Sequence, residues 1–148
     1  MIMNLIKIYR IGHFFYRKGI PLLPRLFRFL IFLLYNSDIP CSVKIGKGSL
    51  FSHSGIGVVL HQKTVIGEGC IIGQGCTVGG RSRHPDVPVI GDKVYIGAGA
   101  RVLGPIKIGN NVIIGPNAVV IKDVADGCIV GGVPAKILKE GIRFEDYI

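Results

Sequence analysis

An aliphatic residue returns every six positions along the middle of the chain. The period runs from Leu60 to Val78 and, after an interruption, from Ile90 to Val120. The positions concerned are Leu60, Ile66, Ile72, Val78, Ile90, Ile96, Val102, Ile108, Ile114 and Val120. A period of six fits neither a helix of 3.6 residues per turn nor an alternating strand. It indicates a repeat architecture, in which neighbouring repeats bury a shared core.

Six residues per repeat predict a short strand followed by a corner. Three such sides close a triangular coil, and successive coils stack their strands into parallel sheets. We expect the aliphatic at position one to point into the prism, beside a small or β-branched residue at position five. Glycine follows the aliphatic at seven of the ten positions, where we expect it to supply backbone angles needed near a corner. These glycines are Gly67, Gly73, Gly79, Gly91, Gly97, Gly109 and Gly115.

Composition narrows the classes of partner. The chain is 49% hydrophobic with a net charge of +9, and residues 1–37 carry six basic and no acidic residues before Asp38. No nucleic-acid-binding motif is present, and aromatic residues are not interleaved with the basic ones in the repeat. We therefore expect an anionic lipid or anionic ligand and no nucleic acid. The four cysteines lack zinc-site spacing, which predicts small core residues in a reducing cytoplasm.

The first 37 residues lie outside the repeat. Their pattern predicts a helix over residues 5–15, a break at residues 19–21 and a second helix over residues 22–35. The second helix is short for a membrane span and contains two arginines. Two interpretations remain open. In one, the helix lies in the membrane interface, which implies a cytoplasmic protein attached peripherally to the inner membrane. In the other, it packs on the prism or on a sister subunit.

The six-residue period fails at two places, and each contains a histidine. From Ile45 to Leu60 is 15 residues, with His53 in the middle, and the inserted loop 80–89 contains His84. Inserted loops in repeat arrays often bind ligands, and a neutral imidazole is a general base near pH 7. Asp38 precedes His53 by 15 residues, close to one 18-residue turn, so we expect it one coil below His53. His84 would complete the site from the same chain or from a neighbour.

These residues resemble the serine acetyltransferases within the hexapeptide-repeat acyltransferases. The resemblance runs from about Asp38 to Lys136 and rests on matches in the family's order. They are the segment 38–48, His53 at the family's spacing, the segments 77–80, 83–85 and 96–100, and the segment 132–136. The resemblance implies an all-β fold, a left-handed parallel β-helix, with a short α-helical N-terminal segment. It divides the chain into residues 1–37, an acetyltransferase domain over residues 38–136 and a tail over residues 137–148.

The resemblance also implies roles for individual residues. His53 takes the proton from the acceptor hydroxyl, Asp38 orients His53, and the donor is acetyl-CoA. No metal and no covalent enzyme intermediate are implied. The family forms homotrimers or pairs of trimers, with sites in the clefts between neighbouring prisms. The remaining implied contacts are Arg83 and His84 with the acceptor, Gly79, Gly80 and Ala98 with the pantetheine arm, and Lys136 with the CoA phosphates.

Two departures from the family concern the acceptor. Ser52 stands where the family has an aspartate that helps to hold the ammonium group of serine, and the family's long helical N-terminal domain is replaced by the short basic segment. The expected acceptor is therefore a sugar of a surface-polysaccharide pathway, with L-serine of cysteine biosynthesis as the alternative. The terminal Ile148 matches serine acetyltransferases that dock cysteine synthase. Two other classes remain: a metal-dependent carbonic anhydrase-like protein, for which His53, His61 and His84 lack convincing ligand spacing, and a non-catalytic scaffold.

Overall fold

The computed structural model describes residues 4–148, as two α-helices followed by a three-sided parallel β-helix. Helix α1 is Leu5–Arg17 and helix α2 is Leu23–Tyr35. Strands are numbered along the chain, and short 3₁₀ turns lie at Ser52–Gly55 and Phe144–Asp146.

The strands form three sheets, one on each side of the prism. Sheet 1 contains β1 (Lys44–Ile45), β4 (Val65–Ile66), β7 (Val89–Ile90) and β10 (Lys107–Ile108). Sheet 2 contains β2 (Leu50–Phe51), β5 (Ile71–Ile72), β8 (Tyr95–Ile96), β11 (Ile113–Ile114), β13 (Ile129–Gly131) and the antiparallel β14 (Lys136–Lys139). Sheet 3 contains β3 (Val59–Leu60), β6 (Thr77–Gly79), β9 (Arg101–Leu103) and β12 (Val119–Val120).

The register of the sheets confirms the six-residue period. Ile66 pairs with Ile45 in the coil below and with Ile90 in the coil above, so residues at the same position of the repeat stack on one another. All ten periodic aliphatic residues are at most 3% exposed. The residues at position five are buried beside them, including Thr64, Cys70 and Cys76. The core is therefore a column of stacked aliphatic layers along the axis of the prism.

The explanation of the position-two glycines was wrong. None of the seven has a positive φ, so the backbone angle is not what requires glycine there. At five of the seven the constraint is the distance between coils, because an added Cβ would lie within 2.6 Å of the next coil; the exceptions are Gly79 and Gly115, where nothing is closer than 3.4 Å. A Cβ on Gly67 would lie 2.4 Å from the carbonyl oxygen of Gly91 in the next coil, and one on Gly97 would lie 2.6 Å from the nitrogen of Pro116. Left-handed angles occur two residues later, as at Gly69 and Gly99.

The two helices pack on the first coil, as one of the two interpretations predicted. Leu5, Ile8 and Tyr9 of α1 and Ile31 of α2 are buried in the same cluster as the residues inside the prism. The Tyr9 hydroxyl donates to the carbonyl of Val43. The opposite face of the pair is open, and its exposed apolar residues on and beside α2 are Leu22, Leu26, Phe29, Phe32, Leu33 and Leu34.

Neither helix of the described region is long and apolar enough to cross a membrane. The four cysteines are free thiols and buried, which confirms their prediction as small core residues. Within residues 4–148, no three histidine, cysteine or acidic side chains are grouped closely enough to hold a metal ion.

Candidate active site

His53 lies at the corner that joins sheet 2 to sheet 3, which we call the 2–3 corner. In successive coils this corner comprises residues 52–58, 73–76, 97–100 and 115–118. In the lowest coil it contains the Ser52–Gly55 turn, where His53 has φ 48° and ψ 41°. Its side chain is exposed, and that of Ser52 is half-buried. The extra residues of this turn explain the break in period, because strand partners across it, such as Lys44 and Val65, are 21 positions apart.

Asp38 extends sheet 3 by one coil below β3. Its N–H donates to the carbonyl of Val58, its own carbonyl accepts from Leu60, and it pairs in parallel with Val59. Asp38 is therefore one coil below the strand that follows the His53 corner. Its carboxylate binds Arg28 of α2, with Nε 2.7 Å from Oδ1 and Nη2 2.8 Å from Oδ2. His53 makes no side-chain hydrogen bond to any residue from 4 to 148, so its orientation by Asp38 remains a prediction.

The loop carrying Arg83 and His84 follows strand β6 and therefore leaves sheet 3 at the other ends of its strands. It spans the corner between sheet 3 and sheet 1, which we call the 3–1 corner, and both side chains are exposed. Arg83 has φ 70°, and the His84 N–H donates to the carbonyl of Arg81. A single chain therefore holds His53 and His84 on two different corners of the prism. It does not bring them together.

The residues predicted to contact acetyl-CoA divide in the same way. Gly79 ends β6 and Gly80 follows it, so both lie at the 3–1 corner. Ala98 lies at the 2–3 corner, two coils above His53. Hydrogen bonds from Gly75 to Ile56 and from Gly99 to Gln74 connect these coils, which places Ala98 about 10 Å up the axis. Lys136 is exposed at the start of β14.

A pocket of about 290 Å³ lies on the outer face of sheet 3. Asp38 and Arg28 line one part of it, and Thr77 and Gly79 line another. Two predicted site residues from different coils thus border a single depression. Its wall also includes His61, which was not among the residues predicted for acetyl transfer.

Two contributors to this region were missed from the sequence. Arg28 was interpreted only as one of two arginines of the second helix, and Ser37 had no predicted role. The buried Ser37 hydroxyl lies 2.5 Å from the carbonyl oxygen of Gly55 and accepts from the N–H of Val58. Neither residue has a local sequence signal, because Arg28 meets Asp38 only when α2 has docked and Ser37 meets Gly55 only when the first coil has closed.

The chain matches proteins of known family over most of its length. The model of the bacterial transferase hexapeptide (six repeats) family matches residues 88–122. The serine acetyltransferase of Synechococcus elongatus is 37% identical over 140 residues, which cover 93% of this chain and 57% of that protein. The serine acetyltransferase of Helicobacter pylori strain J99 is 36% identical over 132 residues, covering 88% of this chain and 77% of that protein.

Solved structures of serine acetyltransferases also superimpose on this chain. A serine acetyltransferase in complex with cysteine superimposes with a TM-score of 0.85 and 33% identity, over 93% of this chain and 54% of that one. A serine acetyltransferase in complex with CoA superimposes with a TM-score of 0.82 and 34% identity, over 90% of this chain and 55% of that one. This chain therefore spans about half the length of these structures.

The similarity also extends further than the segment from Asp38 to Lys136 that we predicted. A match over 93% of 148 residues must include most of the two helices. The resemblance therefore reaches into the first 37 residues, which we had placed outside it. From the helices through the stacked coils, the chain belongs to the serine acetyltransferase family of hexapeptide-repeat transferases.

Proposed function

We propose that the chain is a serine O-acetyltransferase that takes its acetyl group from acetyl-CoA. The observation that carries the proposal is the combination of 37% identity over 93% of the chain with the exposed His53 at the irregular corner. The names of the relatives favour L-serine, the alternative acceptor, over the sugar that Ser52 suggested. The expectation of a polysaccharide pathway gains no support from them.

In the proposed reaction, neutral His53 acts as the general base. Its imidazole accepts the proton of the serine hydroxyl as the hydroxyl oxygen attacks the thioester carbonyl carbon. The carbon–sulfur bond then breaks, and the CoA thiolate takes the proton back from the imidazolium. The products are O-acetylserine and CoA. The Asp38 carboxylate stabilises the imidazolium while that charge exists.

The separation of the corners supports a site made by two chains. His53 and Ala98 lie on one corner, whereas His84, Gly79 and Gly80 lie on another. In a homotrimer of parallel prisms, the 2–3 corner of one chain faces a cleft into which the 3–1 corner of its neighbour also points. The acceptor would bind beside His53, with Arg83 and His84 contributed by the neighbour. Lys136 would meet the CoA phosphates.

The exposed apolar face of α2 also has a proposed partner, namely a second copy of the chain. The exposed Ile56 lies near the end of this helix, because the N–H of the adjacent Gly57 donates to the carbonyl of Tyr35. Sedimentation that gives a trimer only when Phe29 and Leu33 are intact would support this partner. Flotation of the trimer with anionic liposomes would instead favour the membrane surface. The exposed Ile148 remains a predicted contact for cysteine synthase.

An acetyl-transfer assay tests the function directly. Purified chain is mixed with acetyl-CoA and either L-serine or a panel of sugars and nucleotide sugars, and released CoA is measured. We expect turnover with L-serine and its loss in His53→Ala. Turnover with a sugar but not with serine would leave the general-base chemistry intact and overturn the proposed acceptor. Unchanged turnover in His53→Ala would overturn the proposed mechanism.

A further inference from the structure

We propose that Arg28 is a positioning residue for acetyl transfer, which fixes the Asp38 carboxylate in the plane that His53 requires. This inference rests on the proposed function. Two parallel N–H···O contacts, of 2.7 and 2.8 Å, join the guanidinium to the two carboxylate oxygens. Such a fork defines the plane of a carboxylate, which a point charge such as an ammonium does not.

Both ends of the Arg28–Asp38 contact are held by the fold. The main chain of Asp38 is fixed between Val58 and Leu60 by two hydrogen bonds of 2.9 Å. Arg28 extends from α2, whose buried Ile31 anchors the helix in the core. The end of α2 is in turn connected to the His53 corner, through Tyr35 to Gly57 and through Ser37 to Gly55. The helix, the carboxylate and the corner therefore form a single supported unit.

The bidentate contact with Arg28 leaves the Asp38 carboxylate able to accept a further hydrogen bond from His53. An ionised carboxylate has about four acceptor positions, and a bidentate arginine occupies two of them. The others remain open to a ring N–H of His53. Without Arg28, rotation about the side chain of Asp38 would spread those positions over many directions. Loss of orientation in a catalytic group lowers kcat because fewer complexes have the reactive geometry.

The same pair contributes little to the stability of the fold, which makes its catalytic role separable. The side chains of Arg28 and Asp38 are 49% and 39% exposed, and ion pairs at such sites add little to folding free energy. Arg25 lies one turn earlier on the same helix and is also exposed. It makes no ion pair or side-chain hydrogen bond with any described residue, so it provides the matched control.

The test compares Arg28→Ala, Arg28→Lys and Arg25→Ala with the unaltered chain. We measure kcat, KM for both substrates, and Tm, each with and without added guanidinium ion at a non-denaturing concentration. We expect Arg28→Ala to lower kcat by roughly tenfold to a hundredfold, with KM for acetyl-CoA and Tm unchanged. Guanidinium should restore several-fold activity to Arg28→Ala alone, since it can fill the vacated position. Arg28→Lys should be intermediate, and Arg25→Ala should match the unaltered chain.

Other outcomes separate the competing explanations. Equal kcat in Arg28→Ala and the unaltered chain would overturn the positioning role and leave the proposed function standing. So would a rise in acceptor KM at unchanged kcat, which would make Arg28 a direct acceptor contact. A lower Tm without rescue by guanidinium would reduce Arg28 to a structural residue. Absence of transfer by the unaltered chain to serine or any sugar would overturn the proposed function itself.

Discussion

The 2–3 corner occurs in successive coils, and its lowest copy differs from the others. In the upper coils the turn contains one left-handed residue, at Gly75, Gly99 and Asn117 in succession. The lowest copy contains four within five positions, and two of them, His53 and Ser54, are not glycine. A left-handed angle costs a residue with a Cβ about 1–2 kcal/mol. Strain of this kind persists where the surroundings hold it in place, often at functional sites.

The surroundings differ as well. In the upper coils each corner rests on the corner below, as when Gly99 donates to the carbonyl of Gln74. The lowest corner has no coil beneath it. It is supported instead by Ser37 and by Leu5 of α1, which lies so close to Gly55 that an added Cβ would be 2.9 Å from its Cδ1. The regular corners are therefore held by the coils beneath them, whereas Ser37 and helix α1 support the irregular turn that contains His53.

The largest expected effect is on catalysis at the irregular corner. We expect His53→Ala to lower kcat/KM by about 10²- to 10⁴-fold, the usual contribution of a general base. Because alanine also has a Cβ, the strain of the turn is retained, and unfolding by denaturant should change little. A parallel loss of stability would mean that the corner, and not the imidazole, explains the activity.

In a regular coil, the corresponding large effect is on folding. Gly67→Ala places a Cβ 2.3–2.5 Å from the side chain of Asp92 and the backbone of Gly91. We expect a loss of about 3 kcal/mol or more in the free energy of unfolding. Gly79→Ala is the control for this stability measurement, because its Cβ would have no neighbour closer than 3.8 Å. Equal losses in the two variants would contradict the close-approach explanation.

The support of the lowest corner can be weakened by removing one oxygen atom, that of the Ser37 hydroxyl. Ser37→Ala removes the hydroxyl that bonds the Gly55 carbonyl and the Val58 N–H, which then keep only their 3.2 Å hydrogen bond to each other. The expected cost is about 0.5–1.5 kcal/mol of unfolding free energy, together with a lower kcat as the His53 turn loosens. Ser42→Ala removes a more exposed hydroxyl, bonded to the Gln62 carbonyl, and should cost less than about 0.5 kcal/mol. Full activity in Ser37→Ala would show that this support of the corner does not affect catalysis.

The smallest expected effect is a gain in stability. Ser54→Gly relieves a left-handed angle of φ 59° beside His53, the proposed general base. We expect an increase of about 0.5–1 kcal/mol in unfolding free energy with activity retained. Denaturant titration and the CoA-release assay check the two parts. A loss of stability would indicate that Ser54 makes a favourable contact in the assembled protein.

Much of this arrangement could be predicted from the sequence, for identifiable reasons. The stacked aliphatic residues and the two helices follow from local sequence patterns. The six-residue spacing of residues such as Ile66 and Ile96 predicts the coils, and the break near Gly19 separates the two helices. The place of the irregular corner followed from a count of residues between Ile45 and Leu60. The reason for glycine at position two could not be obtained in this way, because it depends on the distance to the next coil. The pairing of Arg28 with Asp38 was also hidden, since a helix must dock before residues ten positions apart can meet in this geometry.

The central claim is that the His53 corner of one chain and the His84 loop of its neighbour form one site. It is tested by mixing His53→Ala chains with His84→Ala chains during refolding and measuring acetyl transfer by the mixed trimers. Each variant alone should be nearly inactive. Random assembly should restore about a quarter of the clefts, because a cleft then needs His53 intact on one side and His84 intact on the other. No recovery in verified mixed trimers would contradict the shared site and place both histidines in the same chain's chemistry.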